Sequence, residues 1–206
     1  LIIGAAAAYW YFTRPPLGQI LVFSKTAEYR HESIAACVAA LTEIAKGHRY
    51  HVVATEDAAD INATSLPGYR AVIFLNTTGE VLDLESQEAL ERYIQAGGGF
   101  VGIHAAADTH WKTNDWPWYT RLVGAAFLTH PNDPSNVQSA NLQVIDQQNP
   151  LTQMFDATFD FSDEWYDYHR LSENIQVLLT ADEDSYQGAV MGDHHPVAWF
   201  QEFDGG

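Results

Sequence analysis

With 206 residues the chain is long enough for one complete α/β domain. Hydrophobic residues make up 47%, ample for a globular core, but 27 Asp and Glu against 10 Lys and Arg leave a net charge of −17 at pH 7. Such a surface repels phosphate backbones, anionic membranes and polyanionic substrates, which argues against nucleic acid and leaves neutral ligands such as sugars, or cations.

The first twelve residues, LIIGAAAAYWYF, are uncharged and lead to Arg14 and a Pro-Pro pair. Twelve are too few to span a bilayer, which takes about 20. Because the chain begins on Leu, the run reads as the tail of a longer apolar segment, with Tyr9, Trp10 and Tyr11 at the membrane interface. Residues 1–18 are expected to be an N-terminal anchor or signal remnant. From Gln19 the pattern is regular. QILVFS is a short unbroken apolar run, as in a buried parallel strand. ESIAACVAALTEIAK puts Ile34, Val38, Leu41 and Ala45 on one helical face, with Gly47 as a stop; the lone Cys37 lies within this helix as a small apolar residue. RYHVVAT and RAVIFLN are two more strands. LDLESQEALERYIQAGGG is a helix expected to face Leu84, Ala89, Leu90 and Ile94 inward, and GFVGI is the fourth strand. Alternation of this kind predicts an α/β fold: a three-layer, flavodoxin-like parallel sheet with helices on both faces.

After His104 the pattern loosens. One short helix is expected around Trp118 to Val123, and NLQVID, TFDFSDEWY, IQVLLT and HPVAWF have strand character. The second half reads as strands and long loops laid over the sheet's edge. In open α/β sheets ligands bind beyond the carboxyl ends of the strands. That rule selects Ser24, Lys25 and Thr26 with the following YRHES, then Asn76, Thr77 and Thr78, then His104. The stretch GGGFVGIHAAADT has the strand, sharp turn and small-residue helix start of a nucleophile elbow, but with His104 where a Ser or Cys would stand. No G-x-S-x-G is present, and no G-x-G-x-x-G follows the first strand, so neither a serine hydrolase nor a hydride-carrying cofactor is implied.

ILVFSKTAEYRHESI, GGGFVGIHAAADT, WYTRLVGAAFLTHP, SDEWYDY, VLLTADED and HHPVAWF resemble, in that order, the signature blocks of the ThuA-like (trehalose utilisation) domain, over residues 19–206. The resemblance implies the class I glutamine amidotransferase-like fold with His in place of the Cys nucleophile. It implies a role in the use of trehalose and related disaccharides, with 3-keto sugars as intermediates, at the bacterial cell envelope, periplasmic or membrane-anchored. Family members continue past the WF strand with one close to GRVFYTALGH, which carries a histidine. This chain ends at FDGG, so the domain is expected to be truncated at its C-terminus.

On this reading His104 and Glu164 take acid/base roles, and His195 is a further base, orienter or ligand. Glu164 lies among aromatics that exclude water, so its carboxyl is a candidate acid or base. His130 and His195 each precede a proline, which biases their backbone to extended. Lys25, Thr26, Arg30, His31, Asn76, Asp108, Trp111 and His130 are the candidate substrate-binding residues, Trp111 offering a stacking face beside Asp108. No cofactor is certain. His104, His130, Glu164 and His195 supply the ligand types of a divalent metal such as zinc, but without a local motif such as H-E-x-x-H. Each residue also has an ordinary alternative as a satisfied strand-end polar group or a surface charge. The rival function is a non-catalytic carbohydrate-binding or interaction domain.

Overall fold

The computed structural model describes residues 15–113 and 116–206, so the apolar N-terminal run lies outside the described residues. Among the described residues, no helix is long and apolar enough to cross a membrane. The chain forms two compact units, one of residues up to Lys112 together with Phe203–Gly206, the other Thr113–Glu202.

In the first unit β1 (Gly18–Phe23), β2 (Tyr50–Thr55), β3 (Tyr69–Leu75) and β4 (Gly99–Ile103) form a parallel sheet in the order β2-β1-β3-β4. The expected α/β parallel architecture is present. The register pairs Val22 with Ala54 and Ile73, and Phe23 with Phe74, so residues of one parity stack on one face. Val22, Ile73 and Leu75 meet Cys37, Val38 and Leu41 of α1 (Ile34–Gly47), the face the 3.6-residue spacing marked. The opposite parity carries Phe23 and Phe74, with ring centroids 5.1 Å apart and no exposed surface on either residue.

The second helix, α2 (Leu84–Gln95), buries Ser86, Ala89, Leu90, Tyr93 and Ile94. Leu84 does not join them; it is 69% exposed. It is the first residue after the Asp83 N-cap, and a 3.6-residue repeat through 86, 90 and 93 leaves position 84 on the solvent side. Gly97, at φ +88, ends the helix in the left-handed conformation that glycine adopts without cost. At Gly98 a Cβ would run into the Tyr93 ring, whose hydroxyl donates to the carbonyls of Tyr69 and Gly99 at the start of β3 and β4.

In the second unit α3 (Pro117–Val123) ends on Gly124, and β5 (Ala126–Thr129) pairs antiparallel with β8 (Asp167–His169). β6 (Val137–Val144), β7 (Thr158–Glu164), β9 (Gln176–Asp182) and β10 (Pro196–Phe200) make a separate antiparallel sheet in the order β10-β9-β6-β7. Its core gathers Ala140, Leu142, Trp165, Ala181 and Tyr186, and the Trp165 indole N–H is satisfied by the Gln138 carbonyl at 2.8 Å. The second-half strands thus pair with one another and build a core of their own.

Candidate functional site

The order β2-β1-β3-β4 places the topological switch point between β1 and β3, where the chain departs to opposite sides and leaves a crevice at the carboxyl ends. The loops there are laced together. Thr26 bridges Thr78, and the Ala27 N–H donates to the Thr78 carbonyl at 2.8 Å. The Thr78 hydroxyl donates to the Tyr29 carbonyl at 2.8 Å, while Gly79 bridges Thr109. The Thr109 hydroxyl donates to the Thr77 carbonyl at 2.7 Å, leaving the Thr77 hydroxyl to donate to the Thr109 oxygen at 2.8 Å. The three strand ends selected from sequence therefore form one edge.

His104 follows the last residue of β4 at φ +51, a left-handed conformation rarely adopted by residues with a Cβ, and the buried Ala105–Ala107 continue into a 3-10 turn. This is the strained elbow geometry the sequence suggested, with an imidazole at its tip. His104 Nε2 lies 3.1 Å from His31 Nε2, with the rings edge to face at 4.7 Å. The Tyr29 ring braces His31 from a further 4.8 Å. At that N···N separation one ring donates and the other accepts, so one proton between two imidazoles completes the pair.

Asn76, after β3, is also left-handed, at φ +50, and buried. Its Nδ2 donates to Ser33 Oγ at 2.9 Å, and its buried Oδ1 has no hydrogen-bond partner among the described residues. A buried acceptor left open at a strand-end crevice suits a ligand hydroxyl. Lys25 is half-buried, and its charge helps hold the Asp83 carboxyl below the usual carboxylate range, an effect owed mainly to the Ser86 N–H. Asp108 is buried and accepts the Trp111 indole N–H at 2.7 Å. Burial pushes its carboxyl up, against the smaller pull of Trp111, Lys112 and His31. Arg30 is engaged elsewhere: its guanidinium makes a two-point ion pair with Glu56, at 2.6 and 3.1 Å, with both side chains half-exposed.

His110, two residues beyond Asp108, is almost fully buried. Its Nε2 accepts the N–H groups of Val81 and Leu82 at 3.1 and 3.0 Å, and its Nδ1 meets the Glu80 carboxylate. That tautomer is fixed by its partners, so His110 holds the loop entering α2.

In the second unit His130 Nδ1 donates to the Pro131 carbonyl at 3.0 Å, which leaves Nε2 as the basic nitrogen, 3.6 Å from Glu164 Oε1. Glu164 Oε1 also accepts from Asn136 at 2.8 Å. His195 has no exposed surface; Nδ1 lies 2.8 Å from Glu183 Oε1 and 3.0 Å from the Tyr186 hydroxyl, and Nε2 lies 2.9 Å from the Tyr166 carbonyl. Within the first unit His104 lies beside His31, and within the second His130 lies beside Glu164 and His195 beside Glu183. Two nitrogens bound tetrahedrally to zinc at about 2.05 Å sit roughly 3.3 Å apart. The His31 and His104 spacing fits two such adjacent ligands as well as it fits a shared proton.

Comparison with known proteins follows the same line. A family model described as "ThuA: Trehalose utilisation" matches residues 19–206. No curated protein matches. The crystal structure of a ThuA-like protein from Bacteroides uniformis superposes with a TM-score of 0.77 at 23% identity, over 92% of this chain and 80% of that one. A ThuA-like protein from Parabacteroides merdae gives a TM-score of 0.69 at 18% identity, over 93% and 77% of the two chains. At these identities the two structures speak for the fold.

Proposed function

The chain belongs to the ThuA trehalose-utilisation family, and from that premise we propose that it is an acid/base enzyme acting on a disaccharide or keto-sugar through the His31–His104 pair. The observation that carries the proposal is the left-handed His104 at the carboxyl edge of the sheet, its Nε2 3.1 Å from that of His31. A strained elbow costs about 1–3 kcal/mol and persists where the surroundings enforce it, and such strain clusters at active sites, ligand clamps and switch regions. A neutral imidazole in this pair takes the proton next to a sugar carbonyl, and the freed electron pair moves onto the carbonyl oxygen. When a glycosidic oxygen leaves from the adjacent carbon, the pair returns a proton to it. Asn76, Lys25 and Thr26 receive sugar hydroxyls, while Asp108 and Trp111 offer an acceptor and a ring face. Glu164 and His130 are a second acid/base pair, tested through Glu164→Gln. The charge of −17 favours a neutral sugar over a phosphorylated one. An envelope location belongs to the same proposal and rests on the apolar residues 1–12; fractionation of cells expressing the natural gene tests it.

Turnover of a panel of disaccharides and their 3-keto forms is the direct test. Loss of turnover in His104→Ala and His31→Ala, with Cys37→Ala unaffected, supports the enzyme. Calorimetric sugar binding without turnover in the unaltered chain would replace it with a carbohydrate-binding domain.

A further inference from the structure

The second unit contains a buried cluster that the proposed reaction does not use. Asp167 opens β8, Glu183 follows β9, and His195 precedes β10. One ligand-capable atom from each lies within 4.8 Å of the others. Asp167 and His195 have no exposed surface.

With His195 neutral, the cluster sets two acceptors face to face. The Tyr166 carbonyl can only accept, so His195 Nε2 carries a hydrogen, and in the neutral ring Nδ1 is a lone pair. That lone pair faces a carboxylate oxygen of Glu183 at 2.8 Å. Two acceptors at this distance need a proton or a cation between them. The Tyr186 O–H, 3.0 Å from Nδ1, serves the nitrogen and the Met191 N–H serves Oε1 at 2.9 Å, so what the close pair still calls for is positive charge between the two atoms. Asp167 Oδ1 accepts the Val190 N–H at 3.0 Å, but its buried Oδ2 has no hydrogen-bond partner among the described residues. An unpaired carboxylate oxygen in the interior is costly, and buried carboxylates are normally paired or bound to metal.

We propose that Asp167, Glu183 and His195 form a binding site for a divalent transition cation of the zinc type, which ties the start of β8 to the β9–β10 connection. The donor set of one imidazole nitrogen and two carboxylate oxygens, with a fourth position for water, suits zinc and its first-row neighbours. Magnesium and calcium, which take oxygen ligands throughout, suit it poorly. The supporting contacts are in place. The Tyr166 carbonyl fixes the tautomer that presents Nδ1, and the N–H groups of Val190, Met191 and Gly192 orient the carboxylates, the last two donating to Glu183 at 2.9 Å. The site stands independently of the reaction proposed for the first unit.

The test uses the full chain carrying His104→Ala, which removes the elbow pair as a competing site, stripped with chelator and titrated calorimetrically with zinc chloride. One equivalent is expected to bind, with magnesium failing to compete. Adding Asp167→Asn or Glu183→Gln should weaken binding about a hundredfold or more, since losing even a supporting contact costs 10–100-fold. Zinc at about a hundred times its Kd should raise Tm by roughly 5–10 °C in the parent and leave the Asp167→Asn chain unmoved. Absence of zinc binding in the parent, or unchanged affinity in both variants, overturns the proposal. Should the variants fail to fold, X-ray absorption of zinc bound to the parent decides: one imidazole among oxygen ligands supports the site, and none or more than one refutes it.

Discussion

Replacing His104 once by glycine and once by alanine isolates the backbone strain on which the elbow depends. At φ +51 the Cβ crowds the following carbonyl, at about 1–2 kcal/mol for an L residue and nothing for glycine. Both variants lose the 3.1 Å contact with His31, so that loss cancels between them. Glycine's greater freedom in the unfolded chain works the other way by roughly 0.4–1 kcal/mol, yet at a left-handed position the strain outweighs it. His104→Gly is therefore expected to be about 1 kcal/mol more stable than His104→Ala, the reverse of the order in a helix. Urea unfolding with matched slopes measures the difference, and for a chain of this length the thermal midpoints should differ by about 2–4 °C. An alanine variant as stable as the glycine variant, or more so, would show that the position is not held left-handed and remove the argument for a strained elbow.

The remaining predictions follow from the fold and from Asp108. Leu90→Ala, at a position with no exposed surface, should cost about 2–5 kcal/mol, whereas exposed Leu84→Ala should change stability by less than about 0.5 kcal/mol, both by urea unfolding. Gly47→Ala places a Cβ in open space at the end of α1 and should stabilise the chain by about 0.4–1 kcal/mol. Burial raises the Asp108 carboxyl above its ordinary 3.8, so the folded state holds more proton than the unfolded one as pH rises from that value. Stability from this residue is accordingly lost with rising pH. Asp108→Asn should gain on the unaltered chain from pH 4 towards neutrality, in denaturation measured across that range, and a constant difference would contradict the assigned burial cost.

The first four strands were legible because parallel strands covered on both faces read as plain apolar runs, and the strand-end rule then found Thr26, Asn76 and His104 without any contact information. Leu84 departs from its expected inward place because an N-cap residue marks where a helix starts but not its phase, and the buried stripe begins at Ser86. The pairing of the later strands was not legible. β7 leaves Phe161 52% exposed, which blurs the alternation that fixes a strand's faces, and its partners are chosen by non-local packing. Spacing could not show that His31 meets His104 across 73 positions, nor that Arg30 spends its guanidinium on Glu56. Asp167 and Glu183 looked like ordinary charges in an acidic chain; only their burial around His195 sets them apart.

On the proposed reaction the His104 imidazole moves a proton at a sugar carbon. Proton NMR of a 3-keto-disaccharide in D2O tests it by following exchange at the carbon beside the ketone, corrected for the spontaneous rate. Enzyme-dependent deuterium incorporation is expected, falling to the spontaneous rate in His104→Ala. Incorporation undiminished in that variant would contradict it.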